Sequence, residues 1–240
     1  MTRSRSISIL LLAAAGAACS QRDSKAGPPS DSGAAAAGST TAAVTASERI
    51  ADSIGSSGVP KAVADIGTHS ENLYDQAKAA NWTKVKVILD SLEQSAAGLN
   101  ANERGQMAGV LDSLRSAVTA HRRESAIEAA NQVTFLGAHF TEAYHPKMPA
   151  DVVRLDYYGR ELEIWAAQKN MTRLATTSAD LRRTWEAVKP MVISHGGAAA
   201  AARTDSLVAR LGSAKSAGDF ARLATPILDV VDELEKPFEH

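Results

Sequence analysis

The sequence predicts an all-α fold of duplicated helical hairpins forming two four-helix-bundle-like units, with a short α-solenoid as the alternative. Three observations carry this. After residue 60 no segment sustains the period-two alternation of β-branched and aromatic residues that marks strands. Apolar residues recur there at threes and fours, the spacing of one stripe on a helix. Two stretches of the chain also resemble one another at a nearly constant offset.

Taken from its start, the chain opens on Arg3 and Arg5 and continues into an apolar run from Ile7 to Ala18. This is the charged and apolar pattern of a secretory signal over residues 1–18. The run is about 12 residues, well short of the roughly 20 a spanning helix needs. It ends in Gly16-Ala17-Ala18-Cys19, and Cys19 is the only cysteine of the 240 residues. The segment resembles the signal and lipobox of bacterial lipoproteins, in which the cysteine takes the lipid. The family usually carries Leu three residues before that cysteine, where this chain has Gly16. The resemblance covers these first 19 residues. It implies lipidation at Cys19 and a membrane anchor through that lipid in the bacterial cell envelope. Ser20, in place of the Asp linked to inner-membrane retention, implies the outer membrane with the protein facing the periplasm.

Residues 19–58 are rich in Ser, Ala, Gly and Thr and poor in large apolar side chains. Such a segment buries too little surface to offset its ordering entropy, and it reads as a flexible tether. About 38 residues of this composition reach roughly 30–40 Å. Loss of residues 1–18 leaves a net charge near −3, from 27 acidic residues and 26 basic ones less two arginines. That balance excludes a nucleic-acid partner.

The remainder divides into a first four-helix unit over 59–146 and a second over 147–240. In the first, Val85, Ile88, Leu89, Leu92, Ala96 and Leu99 form a stripe that starts at Trp82. Asn81 before Trp82 suits a cap, and Asn100 with Glu103 has the spacing of a capping box. Pro146 and Pro149 close the first unit, since neither continues a helix. In the second, Val152, Leu155, Tyr158, Leu162 and Trp165 form the next stripe. Asn170 stands before Met171-Thr172 as Asn81 stands before Trp82-Thr83, at an offset of 89. Gly196-Gly197 ends the helix that carries Trp185, and Gly218-Asp219 reads as a helix end with a new cap at Asp219. The last stripe is Phe220, Leu223, Ile227, Val230, Val231 and Leu234. Ala130, Val133, Phe140 and Tyr144 fall on Ala224, Ile227, Leu234 and Phe238 at an offset of 94. Hairpins then recur at roughly 42–49 residues, longer than the 34 of a tetratricopeptide stack, which favours bundles.

Two constellations carry candidate chemistry. His139, Glu142 and His145 stand at i, i+3 and i+6 before Pro146, and Glu142 to His145 is a Glu-x-x-His spacing. Met148 adds a thioether close by, so a transition metal or haem is the cofactor to look for, although no Cys-x-x-Cys-His is present for covalent haem. The second constellation is aromatic. Tyr157, Tyr158 and Trp165 could rim a ligand groove between the two units, with Asp156, Arg160, Glu161 and Glu163 crowding what reads as a helix start. Gly-x-Ser-x-Gly and phosphate-binding glycine loops are absent from the sequence, and no thiol falls in the folded part. The expected function is therefore non-enzymatic: a lipid-anchored helical protein that binds an envelope protein or a small ligand. The alternatives are a metal- or haem-binding bundle and an envelope scaffold with a solenoid-like surface.

Overall fold

A computed structural model describes residues 58–238. The signal, Cys19 and nearly all of the tether lie outside the described residues, as does His240. Eight α-helices follow one another: α1 (Lys61–Lys78), α2 (Trp82–Ala97), α3 (Ala101–Thr119), α4 (Arg123–Glu142), α5 (Ala150–Ala167), α6 (Met171–Ser194), α7 (Ala198–Ser213) and α8 (Ala217–Glu235), with a short 3-10 turn at Lys236–Phe238. Among the described residues there is no strand, and no helix is long and apolar enough to cross a membrane.

The helices close into two rings. α1 packs on α2 and α4, and α3 packs on the same two; α5 packs on α6 and α8, and α7 on the same two. Ring closure is the bundle pattern, because in a solenoid the first helix would not return to the fourth. Each ring encloses its own apolar core. Leu73, Leu92, Met107 and Leu114 are fully buried in the first, and Leu162, Leu181, Trp185 and Leu234 in the second. The rings also share material. α4 packs on α5, Ile164 of α5 belongs to the first core, and Trp165 packs against both.

The two units repeat each other in detail at one turn. The amides of Ala79, Ala80 and Asn81 donate to the carbonyls of Asp75, Ala77 and Gln76. Those of Gln168, Lys169 and Asn170 donate to Ile164, Ala166 and Trp165, the same set 89 residues on. Ala80 and Lys169 both adopt left-handed backbone, at φ 53° and 56°. Asn81 and Asn170 then each accept from the amide three residues ahead, at 3.4 and 3.1 Å. Asn81→Ala and Asn170→Ala are each expected to lower stability by about 1 kcal/mol. Urea denaturation followed by circular dichroism measures this, and two unchanged midpoints would show that the caps carry no energy.

Two local expectations need correction. The cap of α8 is Ser216, and Asp219 is its third residue, completing a reciprocal capping box in which the Ser216 amide donates to Asp219 at 2.9 Å. Asp219 is thus one turn inside the helix rather than at its cap. The residues Asp156 to Glu163 lie in the middle of α5, which starts at Ala150 with Pro149 as its cap. They therefore do not answer a helix dipole. They lie on a helix buried nearly all round, with Tyr157, Arg160 and Glu161 all under a tenth exposed. Pro190 and Pro226 stand inside α6 and α8, where periodic apolar packing holds the helix across a missing amide donor.

Candidate ligand cleft between the two rings

α4 packs on both α1 and α5 and carries several buried small residues. Ala126, Ala129, Ala130, Gly137 and Ala138 are all buried along it, Gly137 against Ile66 and Gly67 of α1. On one side of the α4–α5 seam α3 and α6 diverge, leaving a cleft of about 890 Å³. That is within the size range of small-ligand sites. Tyr157, Tyr158 and Trp165 all line it, together with Phe135. The Tyr157 ring sits 5.1 Å from both Phe135 and Tyr158, tilted against one and edge-on to the other. The structure thus brings the three aromatic residues together in one cleft.

A polar chain crosses the floor of the cleft. The Gln132 amide donates to the Tyr157 hydroxyl at 2.9 Å, which donates to one Glu161 carboxylate oxygen at 2.9 Å. The other Glu161 oxygen accepts from Thr177 at 2.8 Å. Four side chains thus tie α4, α5 and α6 together. Burial, and next the adjoining Glu161 carboxylate, push the Tyr157 phenol far above its ordinary value, so the tyrosine keeps its proton at neutral pH. Burial also raises the Tyr158 phenol, with Asp180 adding to it.

Two polar atoms at the cleft have no hydrogen-bond partner among the described residues: Asn131 Oδ1 and Trp165 Nε1, both buried. Asn131 is 1% exposed. Its amide nitrogen donates to the Tyr157 carbonyl at 3.1 Å, which fixes which way the side chain faces. A reversed amide would set two acceptors against each other. A buried polar atom left unpaired costs about 1–3 kcal/mol, so a bound water or ligand group that paired with either atom would be favoured here. Asn131 was not singled out from the sequence. An Asn on an otherwise small-residue helix face was the available signal, but only the packing places it at the seam.

At the mouth, Arg122 and Arg173 are exposed. Arg122 donates to the Ser116 hydroxyl at 2.9 Å, and the Arg173 guanidinium lies 5.2 Å from the Trp165 ring centre. The lining contains neither histidine nor cysteine.

The metal expectation is not met by the geometry. His139, Glu142 and His145 are all exposed, and His145 lies beyond the end of α4 with left-handed backbone at φ 47°. Glu142 faces Arg154 of α5 instead, at 2.5 Å, and His139 Nδ1 is 3.8 Å from the same carboxylate. Arg154 holds the Glu142 carboxyl below its ordinary value, which makes it an ion-pair partner pinning α4 to α5. Met148 packs against the second core rather than toward the histidines. Among the described residues no group of three His, Cys, Asp or Glu side chains is placed to hold a metal ion.

The fold and cleft define an all-helical protein of two ring-closed bundles with a polar, aromatic cleft at their seam. Comparison with family models, with curated proteins and with solved structures finds no match.

Proposed function

We propose that this chain is a lipid-anchored binding protein of the bacterial envelope, tethered through Cys19 and holding a small ligand in the cleft between its two helical rings. The observation that carries the binding role is the pairing of aromatic walls with two buried, unpartnered polar atoms of opposite kind, the acceptor Asn131 Oδ1 and the donor Trp165 Nε1. The lipobox-like Gly16 to Cys19, the lone cysteine and the Ser/Ala/Gly-rich stretch to residue 58 support the anchor and an extracytoplasmic location, in the outer membrane facing the periplasm. A cleft without histidine or thiol, with its buried tyrosine firmly protonated, supports a binding role rather than an enzymatic one.

The test uses the full-length protein, purified in detergent and labelled with ¹⁵N in its indole groups. Of its three tryptophans, only Trp165 is expected to shift when a small-molecule filtrate of the envelope is added. Trp165→Ala should abolish retention of the same compound by mass spectrometry. An indole spectrum that ignores the filtrate would overturn the cleft as a binding site. Separately, Cys19→Ser should lose incorporation of labelled fatty acid, and retained label would remove the anchor.

A further inference from the structure

The polarity of the cleft is ordered by depth. At the floor lie a carboxylate, Glu161, at 9% exposure and the free acceptor of Asn131 at 1%. Both seek hydrogen-bond donors: Glu161 has one bond on each oxygen, and a carboxylate has room for about four. Toward the mouth stand the guanidiniums of Arg122 and Arg173, and beneath Arg173 lies the Trp165 ring, whose buried Nε1 donor is unpaired. These three groups seek acceptors.

The charges at the two levels are not used up within the protein. Of the other carboxylates at the cleft, Asp180 pairs with Arg183, and the exposed Asp112 shares Arg115 with Glu93. Glu161 is bonded only by hydroxyls and Glu128 by the Gln168 amide, while Arg122 is bonded by a hydroxyl and Arg173 lies on a ring. Two carboxylates and two guanidiniums thus remain without a counter-ion among the described residues. A cation alone would satisfy the floor and leave the mouth; an anion alone would do the reverse. A neutral sugar would satisfy hydrogen bonds and neither charge.

We propose that the cleft takes a small zwitterion, an amine-bearing carboxylate of amino-acid or short-peptide chemistry. Its ammonium lies toward Glu161 and Asn131, and its carboxylate toward Arg173, Arg122 and the Trp165 indole. This rests on the cleft being the binding site. Its aliphatic or aromatic part lies against Phe135, Tyr157 and Tyr158, whose faces also favour an adjacent cation.

The test is isothermal titration calorimetry on the full-length protein in detergent, with three probe sets. The first is free L-amino acids and dipeptides. The second is the matching amines without carboxylate, such as agmatine for arginine. The third is the matching N-acetyl amino acids. A zwitterion is expected to bind, with each truncated partner about tenfold weaker or worse. Arg173→Gln should weaken the zwitterion about tenfold and leave the amine unchanged, while Glu161→Gln should weaken the zwitterion and the amine and spare the N-acetyl acid. Arg173 is exposed, so its variant keeps the fold and decides the matter even where Glu161→Gln melts. Equal binding of all three sets would overturn the assignment. So would silence across the panel while the Trp165 resonance still answers the envelope filtrate, and the cleft reading would then stand. Silence in both experiments would remove both readings.

Discussion

Arg160→Ala is expected to destabilise the protein by about 3–5 kcal/mol, because it breaks a largely buried ion pair with Asp156 together with the bond to Thr134. Arg160 lies 2.6 Å from Asp156 one turn earlier on α5, and the two side chains are only 11% and 16% exposed. The same guanidinium donates to Thr134 of α4 at 3.0 Å and lies 4.8 Å from the Tyr74 ring centre of α1. It therefore holds α5 to two helices of the other ring. Close by, Glu163 of α5 accepts from Tyr74 at 3.1 Å and pairs with Lys78 at 2.5 Å.

The sign of the pH dependence follows from Glu71. Its carboxyl is raised above the ordinary value, desolvation outweighing the pull of Arg160. A carboxyl raised in the folded state lowers stability in full above its folded value; the penalty shrinks as pH falls through that value and is gone below the unfolded one. Without Arg160 that penalty grows, since the guanidinium that lowers Glu71 is gone while Asp156, which raises it, remains. The deficit of Arg160→Ala should therefore be largest near pH 7 and narrow in acid, as Glu71 takes up its proton. Denaturant titrations at neutral and acid pH measure it. A deficit that does not change with pH would mean that Arg160 acts by packing alone. The joint replacement Asp156→Leu with Arg160→Met should recover much of the loss, since it removes both charges and keeps the volume.

How much of this was legible in the sequence differs between helix and site. Periodicity located the stripes well: Val85, Leu89, Leu92 and Ala96 are buried, as are Phe220, Leu223, Ile227, Val230, Val231 and Leu234. Asn81, Asn100 and Asn170 cap where local chemistry says they should, since an Asn side chain satisfies an orphan amide whatever the tertiary context. The Ser216 cap was missed because Gly218 resembles a stop. The reciprocal bonds between Ser216 and Asp219 outweigh the glycine, which sits inside the first turn.

Charged residues were the least legible. Asp156, Arg160, Glu161 and Glu163 read as a helix start, because charge is costly to bury in the middle of a packed helix. The structure places Arg160 and Glu161 inside because α5 has neighbours on every side and each charge finds a partner there. The same partner choice undid the metal expectation. Glu142 has the spacing for a ligand, but a guanidinium 12 residues away in sequence claims it. The groove formed by Tyr157, Tyr158 and Trp165 was legible because the aromatics cluster next to the prolines that join the two units. Asn131 was not, since its importance lies in one unpaired oxygen at a helix seam.

Gly159→Val is the second large expected effect, a loss of about 1–3 kcal/mol from overpacking at the α5–α8 contact. A Cβ at Gly159 would stand 2.6 Å from Leu228 Cδ2, 3.0 Å from its Cγ and 3.4 Å from Ile227 Cγ2. Both neighbours are buried, at 4% and 3% exposure, so neither side chain has open space to enter. The positions that correspond in the first unit are Ser70 and Thr134, by the offsets of 89 and 94. One unit has two middle-sized residues where the other has the smallest against a large one, as expected when two copies of a packing problem find different volume solutions. That reading makes a further demand. Leu228→Ala should cost stability alone, yet the double replacement with Gly159→Val should cost clearly less than the sum of the two, by about 0.5–3 kcal/mol of coupling. Strict additivity would show that Gly159 is needed for some reason other than the approach of α8. Because α5 also carries Tyr157, Glu161 and Trp165, a helix pushed off α8 moves the floor of the cleft. Gly159→Val should thus weaken ligand retention even at temperatures where circular dichroism reports a fully helical protein, whereas the cap variants Asn81→Ala and Asn170→Ala should leave retention intact.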